Sequence, residues 1–170
     1  GEAVVSDVGA RRDGYCGEVA GMGGVEHEPE GEAGVHAIVE AAGQAALKAA
    51  RPGATASSVD RAARGVIEQA GYGPYFGHRT GHGLGMEWHE APFITETSET
   101  ILEAGMVFSI EPGIYLPGRF GIRLEEIVFL RDDGPEILSG LPRTLSVIPP
   151  HGQDPTADRR PHHAHRSPVT

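Results

Sequence analysis

The chain has 170 residues, of which 39% are hydrophobic and 22% charged, a composition typical of one globular domain. No apolar run approaches the ~20 residues that cross a bilayer, and no basic flank with an apolar stretch marks a secretory signal. The net charge of -10 has the wrong sign for binding phosphate backbones or anionic lipid, which argues against nucleic-acid and membrane partners. The single Cys16 cannot form an intrachain disulfide, so we expect a reducing compartment, the cytoplasm.

The first elements along the chain are a hairpin and a loop. Residues 3–8 are rich in β-branched side chains, and Asp13-Gly14 is a turn signal that joins them to residues 15–22. Residues 26–34 hold four glutamates, a proline and two glycines. We interpret that segment as a solvated loop and not as an acidic site.

Two amphipathic helices follow the loop. Between residues 33 and 50 apolar side chains recur every three or four positions, and the Pro-Gly pair at 52–53 ends the pattern. The second helix begins after Thr55 or Ser57, either of which can cap it, and stops at Gly71. Both helices are expected to be structural.

The rest of the chain alternates between turn-rich and β-rich segments. Residues 72–92 are crowded with glycine, histidine and proline, and we expect functional groups to gather there. Two β-rich runs follow at 106–115 and 120–131, and a turn at 132–134 leads to a short strand at 136–138. These runs predict a sheet.

Three acidic residues lie where a strand normally buries apolar groups, namely Asp7, Glu111 and Glu125. Isolated carboxylates in such runs are costly unless they are paired or bound to a metal. Strand alternation also places Arg123 and Glu125 on one face, so that a charged pair points into the same space.

Nitrogen donors come from His78, His82 and His89. The first two have the spacing of half a helical zinc motif, but the glycines around them oppose a helix and no Glu follows His78. The glycines also lack the spacing and the lysine of a phosphate loop. Carboxylates with one imidazole suit Mn²⁺, Co²⁺, Fe²⁺ or Zn²⁺. Four carboxylates would balance two such ions, which at about 3.5–4 Å apart hold a bridging water and lower its pKa.

Three linked motifs resemble a known family. HRTGHGLGMEWHE, GMVFSIEPGIYLPGRFGIRLEEIV and DDGPEILSGLPRTLSV, in this order, are similar to the C-terminal part of the pita-bread metallopeptidases. The similarity is strongest to the Xaa-Pro dipeptidase and Xaa-Pro aminopeptidase branch, of which creatinase and methionine aminopeptidase are relatives. It extends from about residue 2 to residue 147.

The resemblance implies a role for each candidate residue. His78 and His89 would contact substrate and stabilise the tetrahedral intermediate, and Arg123 would support the ligands. Glu111 would also take the proton of the bridging water. The implied cofactors are two divalent ions, Mn or Co first, with Zn or Fe as alternatives. The implied metal ligands are Asp7, Glu18, His82, Glu111 and Glu125.

Glu18 departs from the family pattern, which has aspartate eleven residues after the first ligand, usually before Thr-Arg-Thr. Here the following residues read VAGM. The extra methylene moves the carboxylate by about a bond length, against a tolerance of ~0.2 Å for ligand distances. Either the backbone adjusts and Glu18 bridges the ions, or one site weakens and leaves a mononuclear or slow enzyme.

The implied fold is an α+β pita-bread fold, N-terminally truncated, because the helices and a further histidine that precede the hairpin in the family are not in this sequence. Residues 1–149 would form a partial catalytic domain, and residues 150–170, which have almost no apolar side chains, a disordered tail. The implied function is an exopeptidase that hydrolyses Xaa-Pro dipeptides or N-terminal Xaa-Pro bonds through a metal-bridging hydroxide. Its partners would be small peptide substrates and, as is common in the family, a second copy. The alternative is a non-catalytic or degraded fragment that holds at most one metal and acts through binding.

Overall fold

The structure is a computed structural model that describes residues 2–140 and 142–149. The predicted tail at 150–170, and with it the predicted domain boundary, lies outside the described residues. The helices are α1 (Glu32–Ala49), α2 (Ala56–Gln69) and a short 3₁₀ helix (Gly73–Tyr75). The strands are β1 (Glu2–Arg12), β2 (Tyr15–Val25), β3 (Gly81–Gly83), β4 (Glu90–Ile94), β5 (Val107–Ile110), β6 (Gly113–Leu116), β7 (Phe120–Arg123), β8 (Glu126–Arg131), β9 (Gly134–Ile137) and β10 (Ser146–Ile148).

The strands form three sheets. In the first, β1 and β2 make an antiparallel hairpin, and β10 joins β2 in parallel. The second has the order β4-β3-β5-β8-β9 with antiparallel neighbours throughout. The third is the two-stranded antiparallel ribbon β6-β7. Among the described residues the chain passes from one sheet to another four times, from β2 to β3, from β5 to β6, from β7 to β8 and from β9 to β10.

The predicted hairpin is confirmed, and it is longer than the sequence indicated, with 11 residues in each strand. Its turn has positive φ at Asp13 (52°) and Gly14 (89°), as a two-residue turn with the twist of a hairpin requires. Gly9 pairs with Glu18, and Asp7 lies two residues before Gly9. Because directly opposed residues share a face, Asp7 and Glu18 lie on the same face of the hairpin.

The two predicted helices are also confirmed, and they pack against each other. Thr55 caps α2 by accepting a hydrogen bond from the backbone N–H of Ser58 at 3.2 Å. Helix α1 contacts β5, β6 and β7, and α2 contacts β4, so the core lies between the helices and the sheets. Among the described residues no helix is long and apolar enough to cross a membrane.

Both predicted β-rich runs form strands, but neither run is one continuous strand. Each one is interrupted, the first at Glu111-Pro112 and the second at Leu124-Glu125. Pro112 has no N–H to donate to a ladder, and at both places the chain leaves one sheet for another. Both glutamates consequently lie at sheet crossings and not within a strand.

Three further predictions need correction. Residues 72–92, predicted to be rich in turns, also include β3 and the start of β4. The strand predicted near residues 136–138 is Gly134–Ile137, and it is not the last one, because β10 follows at Ser146–Ile148. The solvated-loop interpretation of 26–34 fails at Glu32, which begins α1 and is fully buried. The reason is helical periodicity, because Glu32 lies on the same face as the buried residues Val35 and Val39.

Candidate metal centre

Three side chains from separate parts of the chain form the centre of a carboxylate and imidazole cluster. Glu18 comes from β2, His82 from β3 and Glu125 from the crossing between β7 and β8. One oxygen or nitrogen atom from each lies within 4.8 Å of the others. His82 and Glu125 are buried and Glu18 is half-buried. The passage of the chain from β7 to β8 thus places Glu125 beside the hairpin residue Glu18 and beside His82 of β3.

His82 connects this cluster to Glu111. Its Nδ1 donates to the carbonyl of Gly83 at 3.1 Å, and its Nε2 lies 3.1 Å from Glu111 Oε1 and 3.4 Å from Glu18 Oε1. Burial lowers the pKa of His82, but the hydrogen bonds to Glu111 and Gly83 outweigh it, so that the pKa lies above its ordinary value. With Nδ1 held by a carbonyl, Nε2 is the nitrogen that can bind a cation.

The cluster concentrates negative charge in a partly dry space. Burial, followed by the charges of Glu111, Glu18 and Asp7, raises the pKa of Glu125 to about 8. Burial also raises the pKa of Glu18. Burial would raise the pKa of Glu111 as well, but the hydrogen bond and charge of His82 hold it below the ordinary value. These carboxylates can all be ionised together only with a compensating cation.

Glu18 gives a second indication of a cation. Its Oε1 is buried and forms no hydrogen bond with the described residues, although it lies 3.4 Å from His82 Nε2. A buried carboxylate oxygen without a donor is costly unless another group compensates it. Oxygen ligands with one imidazole suit hard or borderline divalent ions, so the residues present fit such a metal.

Asp7 lies at the edge of the cluster. Its Oδ2 accepts a short hydrogen bond from Arg123 Nη2, and its side chain is half exposed. Arg123 Nε also lies 3.9 Å from Glu111 Oε2. Asp7 shares the hairpin face of Glu18, so it is positioned beside the cluster, and its predicted role as a metal ligand stays a prediction.

Sequence reasoning missed Tyr115. Its hydroxyl donates to His78 Nε2 at 2.9 Å, while His78 Nδ1 donates to the carbonyl of Arg79 at 2.7 Å. The tyrosine ring lies over two glycines of the β6-β7 ribbon, Gly113 and Gly121, where any Cβ would come within 2.7 Å of the ring or its hydroxyl. The available signal in the sequence was the pair of glycines near Tyr115, because residues without a Cβ leave room for the tyrosine ring against the ribbon.

Ser109 was also missed. It is fully buried in β5, and its Oγ accepts from the backbone N–H of His82 at 3.0 Å and donates to Glu111 Oε1 at 3.1 Å. One hydroxyl therefore fixes the backbone of one candidate ligand and the side chain of another. The signal was a polar residue in an apolar run, two positions before Glu111.

The residues predicted to be catalytic surround one open pocket beside the cluster. The volume of the pocket is about 440 Å³. The ring of His89 stands edge-on to His82 with 4.2 Å between the ring centroids. Partial burial and the charges of His82 and Arg79 lower the pKa of His89. The lining residues are His78, Arg79, His89, Glu111 and Arg123.

The chain is similar in sequence to proteins named as dipeptidases. Residues 1–132 match metallopeptidase family M24. A protein named Xaa-Pro dipeptidase from Lactobacillus delbrueckii subsp. lactis is 42% identical over 148 residues, which are 87% of this chain and 40% of that protein. The chain thus spans less than half the length of this curated relative.

Solved structures agree with this similarity. The X-Pro aminopeptidase from Thermotoga maritima MSB8 superposes with a TM-score of 0.83 at 42% identity, over 86% of this chain and 42% of that one. Dipeptidase PepE from Mycobacterium ulcerans superposes with a TM-score of 0.84 at 42% identity, over 86% of this chain and 40% of that one. These neighbours confirm the predicted α+β pita-bread fold. With the family match over residues 1–132, they show that the chain belongs to metallopeptidase family M24.

Proposed function

We propose that the chain acts as a metal-dependent exopeptidase that hydrolyses Xaa-Pro dipeptides or N-terminal Xaa-Pro bonds. The observation that carries the proposal is the cluster of Glu18, His82 and Glu125, with Glu111 at 3.1 Å from His82, beside a pocket lined by two further histidines. The printed names of the L. delbrueckii and T. maritima relatives support the choice of an Xaa-Pro bond. The activity is proposed for a chain that spans about 40% of the length of those relatives.

The proposed ligands would hold two divalent ions, with Mn²⁺ or Co²⁺ first and Zn²⁺ or Fe²⁺ as alternatives. Such ions, when bound, polarise the scissile carbonyl and lower the pKa of water. In this arrangement Asp7, at the edge of the cluster, would turn from Arg123 toward the ions. The full set is Asp7, Glu18, His82, Glu111 and Glu125.

The side chains around the pocket perform the remaining steps. Glu111 has a lowered pKa, so it stays a carboxylate that can accept a proton from the attacking water. His89 has a lowered pKa and is therefore mainly neutral at pH 7, so one ring N–H can donate to the oxygen that gains charge at the scissile carbonyl. His78, held by Tyr115, would contact the peptide from the other wall. Arg123 anchors Asp7 and faces Glu111.

Hydrolysis of Ala-Pro by the chelator-stripped chain, with and without added Mn²⁺, tests this proposal. We expect release of proline only with metal, a large loss of rate in Glu111→Gln, and normal activity in the exposed control Glu103→Gln. Absence of metal-dependent hydrolysis in the unmodified chain would contradict the proposed function. Equal rates in Glu111→Gln and the unmodified chain would remove Glu111 from the mechanism.

The second candidate is a non-catalytic member of the family that holds at most one metal and acts through binding. Two observations favour it, namely Glu18 at the position of an aspartate and the Asp7 carboxylate held by Arg123. Binding of one ion without hydrolysis of Ala-Pro would support this candidate. The cytoplasmic location, the homodimer and the lack of nucleic-acid and membrane partners stay predictions.

A further inference from the structure

Arg143 joins two acidic residues that lie on different elements. Its Nε donates to Glu40 Oε2 on α1 at 2.7 Å, and its Nη1 donates to Glu126 Oε1 at the start of β8. Arg143 itself lies between β9 and β10. One guanidinium therefore connects the C-terminal part of the described chain to a helix and to a strand of the five-stranded sheet.

The three side chains of this ion-pair network are largely removed from water. The exposed fraction is 22% for Arg143, 30% for Glu40 and 8% for Glu126. Helix α1 leaves room for the guanidinium at Gly43, where a Cβ would lie 2.9 Å from Arg143 Nη2. Removing one partner of a partly buried pair leaves the other charge without compensation, so these contacts hold their groups more firmly than ion pairs at an open surface do.

The second oxygen of the Glu126 carboxylate is also engaged. The Ser139 hydroxyl donates a short hydrogen bond to Glu126 Oε2. The same Ser139 Oγ accepts a hydrogen bond from the backbone N–H of Ile127 at 3.1 Å. Arg143 and Ser139 together therefore fix the carboxylate of Glu126 and the backbone that follows it. Residue 126 is the direct neighbour of the candidate metal ligand Glu125.

The direction of the Glu125 side chain depends on this neighbour. Glu125 lies between β7 and β8 and belongs to neither strand. Its carboxylate reaches Glu18 and His82, whereas that of Glu126 reaches Arg143. Successive side chains of an extended chain point in opposite directions, so a fixed Glu126 turns Glu125 toward the cluster. Ligand distances in metal sites have a tolerance of about 0.2 Å, so a loosely held Glu126 would weaken metal binding through Glu125.

We propose that Arg143 is a positioning residue that holds Glu125 toward the metal centre by way of Glu126. The inference rests on the metal centre of the proposed function and goes beyond it, because it assigns control of metal affinity to a contact outside the ligand set. Arg143 touches neither the substrate nor the ions. Its loss should weaken the binding of one ion and leave the reacting side chains in place.

Calorimetric titration of Mn²⁺ into the chelator-stripped chain tests this inference. Loss of a group that orients a ligand typically weakens metal binding about 10- to 100-fold, and we expect about tenfold for Arg143→Gln because Arg143 acts through a second residue. Arg143→Lys keeps the charge and should recover part of the affinity. Arg131→Gln is the matched control, since Arg131 also pairs with a glutamate, Glu136, but at the surface. Its Kd for Mn²⁺ should equal that of the unmodified chain.

Two further variants separate positioning from a general loss of stability. Gly43→Ala places a Cβ against Arg143 Nη2 while it improves the helix propensity of α1, so Mn²⁺ binding should weaken without a matching fall in Tm. In the Glu125→Gln background, Arg143→Gln should weaken Mn²⁺ binding no further, because the carboxylate that Arg143 positions is absent. All titrations are made at a temperature at which circular dichroism shows the variants to be folded.

The outcomes separate this inference from the proposed function. An unchanged Kd in Arg143→Gln, an equal loss of affinity in the Glu125→Gln background, or no Mn²⁺ binding by the unmodified chain would overturn the inference. If Arg143→Gln does not fold, Gly43→Ala decides, because weakened binding supports the inference and an unchanged Kd overturns it. Weakened Mn²⁺ binding in Arg143→Gln, together with no hydrolysis of Ala-Pro by the unmodified chain, would reject the peptidase function and keep the role of Arg143.

Discussion

Replacing Asp60 with asparagine should destabilise the chain around the segment that carries His78. Asp60 is fully buried on α2, and Arg64 donates to both of its oxygens, from Nε at 2.9 Å and from Nη2 at 3.0 Å. Thr80 donates to Asp60 Oδ1 as well, from its hydroxyl at 2.8 Å and its backbone N–H at 3.2 Å. Arg64 also donates to the carbonyls of Phe76 and His78, each at 3.1 Å. One carboxylate therefore connects α2 to the segment that leads into β3.

The size of the effect follows from these contacts. Every donor around Asp60 faces an oxygen, so the amide NH₂ of asparagine would oppose an N–H or hydroxyl group. Removing one partner of a buried ion pair costs about 3–5 kcal/mol. The Arg64 side chain is 19% exposed, so water compensates part of its charge and the lower end applies, about 3 kcal/mol. For a chain of this length that loss lowers Tm by about 6–12 °C.

Thermal and urea unfolding followed by circular dichroism measure this change in the free energy of unfolding. Asp132→Asn is the matched control, because it makes the same chemical change at an exposed turn, where effects stay within about 0.5 kcal/mol. A loss below about 1 kcal/mol in Asp60→Asn would refute the importance of this ion pair.

Two further substitutions test the packing around the site. Gly81→Ala should yield little folded protein, because a Cβ there would lie 1.9 Å from the carbonyl oxygen of Ser109. Gly65→Ala is the control on α2, where a Cβ would meet no atom within 4 Å. It should raise the free energy of unfolding by about 0.5–1 kcal/mol. A normal Tm for Gly81→Ala would contradict the close pairing of β3 with β5. Tyr115→Phe removes the hydrogen bond to His78 Nε2 and should lower kcat/KM for Ala-Pro about tenfold. Its Tm should change little, and an unchanged kcat/KM would show that this hydrogen bond does not position His78 for catalysis.

The regular elements were predictable because their signals are local. The apolar spacing of α1 and α2, the cap at Thr55 and the Asp13-Gly14 turn depend on neighbouring residues, and the structure has all of them. The breaks at Glu111 and Glu125 were not predictable, because they depend on which sheet each strand joins. A β-rich composition is the same whether the chain continues in one sheet or crosses to another.

The candidate site also has a part that the sequence predicted and a part that it did not. The ligand types His82, Glu111 and Glu125 stand out in sequence, because charged groups in apolar or glycine-rich runs need a partner. The groups that hold them do not stand out, since Ser109 and Tyr115 act across strands and through backbone contacts. The pairing of Asp7 with Arg123 was equally hidden, because it joins residues 116 positions apart in the sequence.

Metal stoichiometry tests the central claim most directly, namely that the carboxylate and imidazole cluster is a metal centre. Calorimetric titration of Mn²⁺ into the chelator-stripped chain should give two ions per chain, and Glu125→Gln should remove at least one, while the exposed control Glu103→Gln should leave the number unchanged. One ion in the unmodified chain and two ions in Glu18→Asp would show that the glutamate side chain, one methylene longer than aspartate, weakens one of the two metal sites. No Mn²⁺ binding by the unmodified chain, or the same binding in Glu125→Gln, would contradict the account.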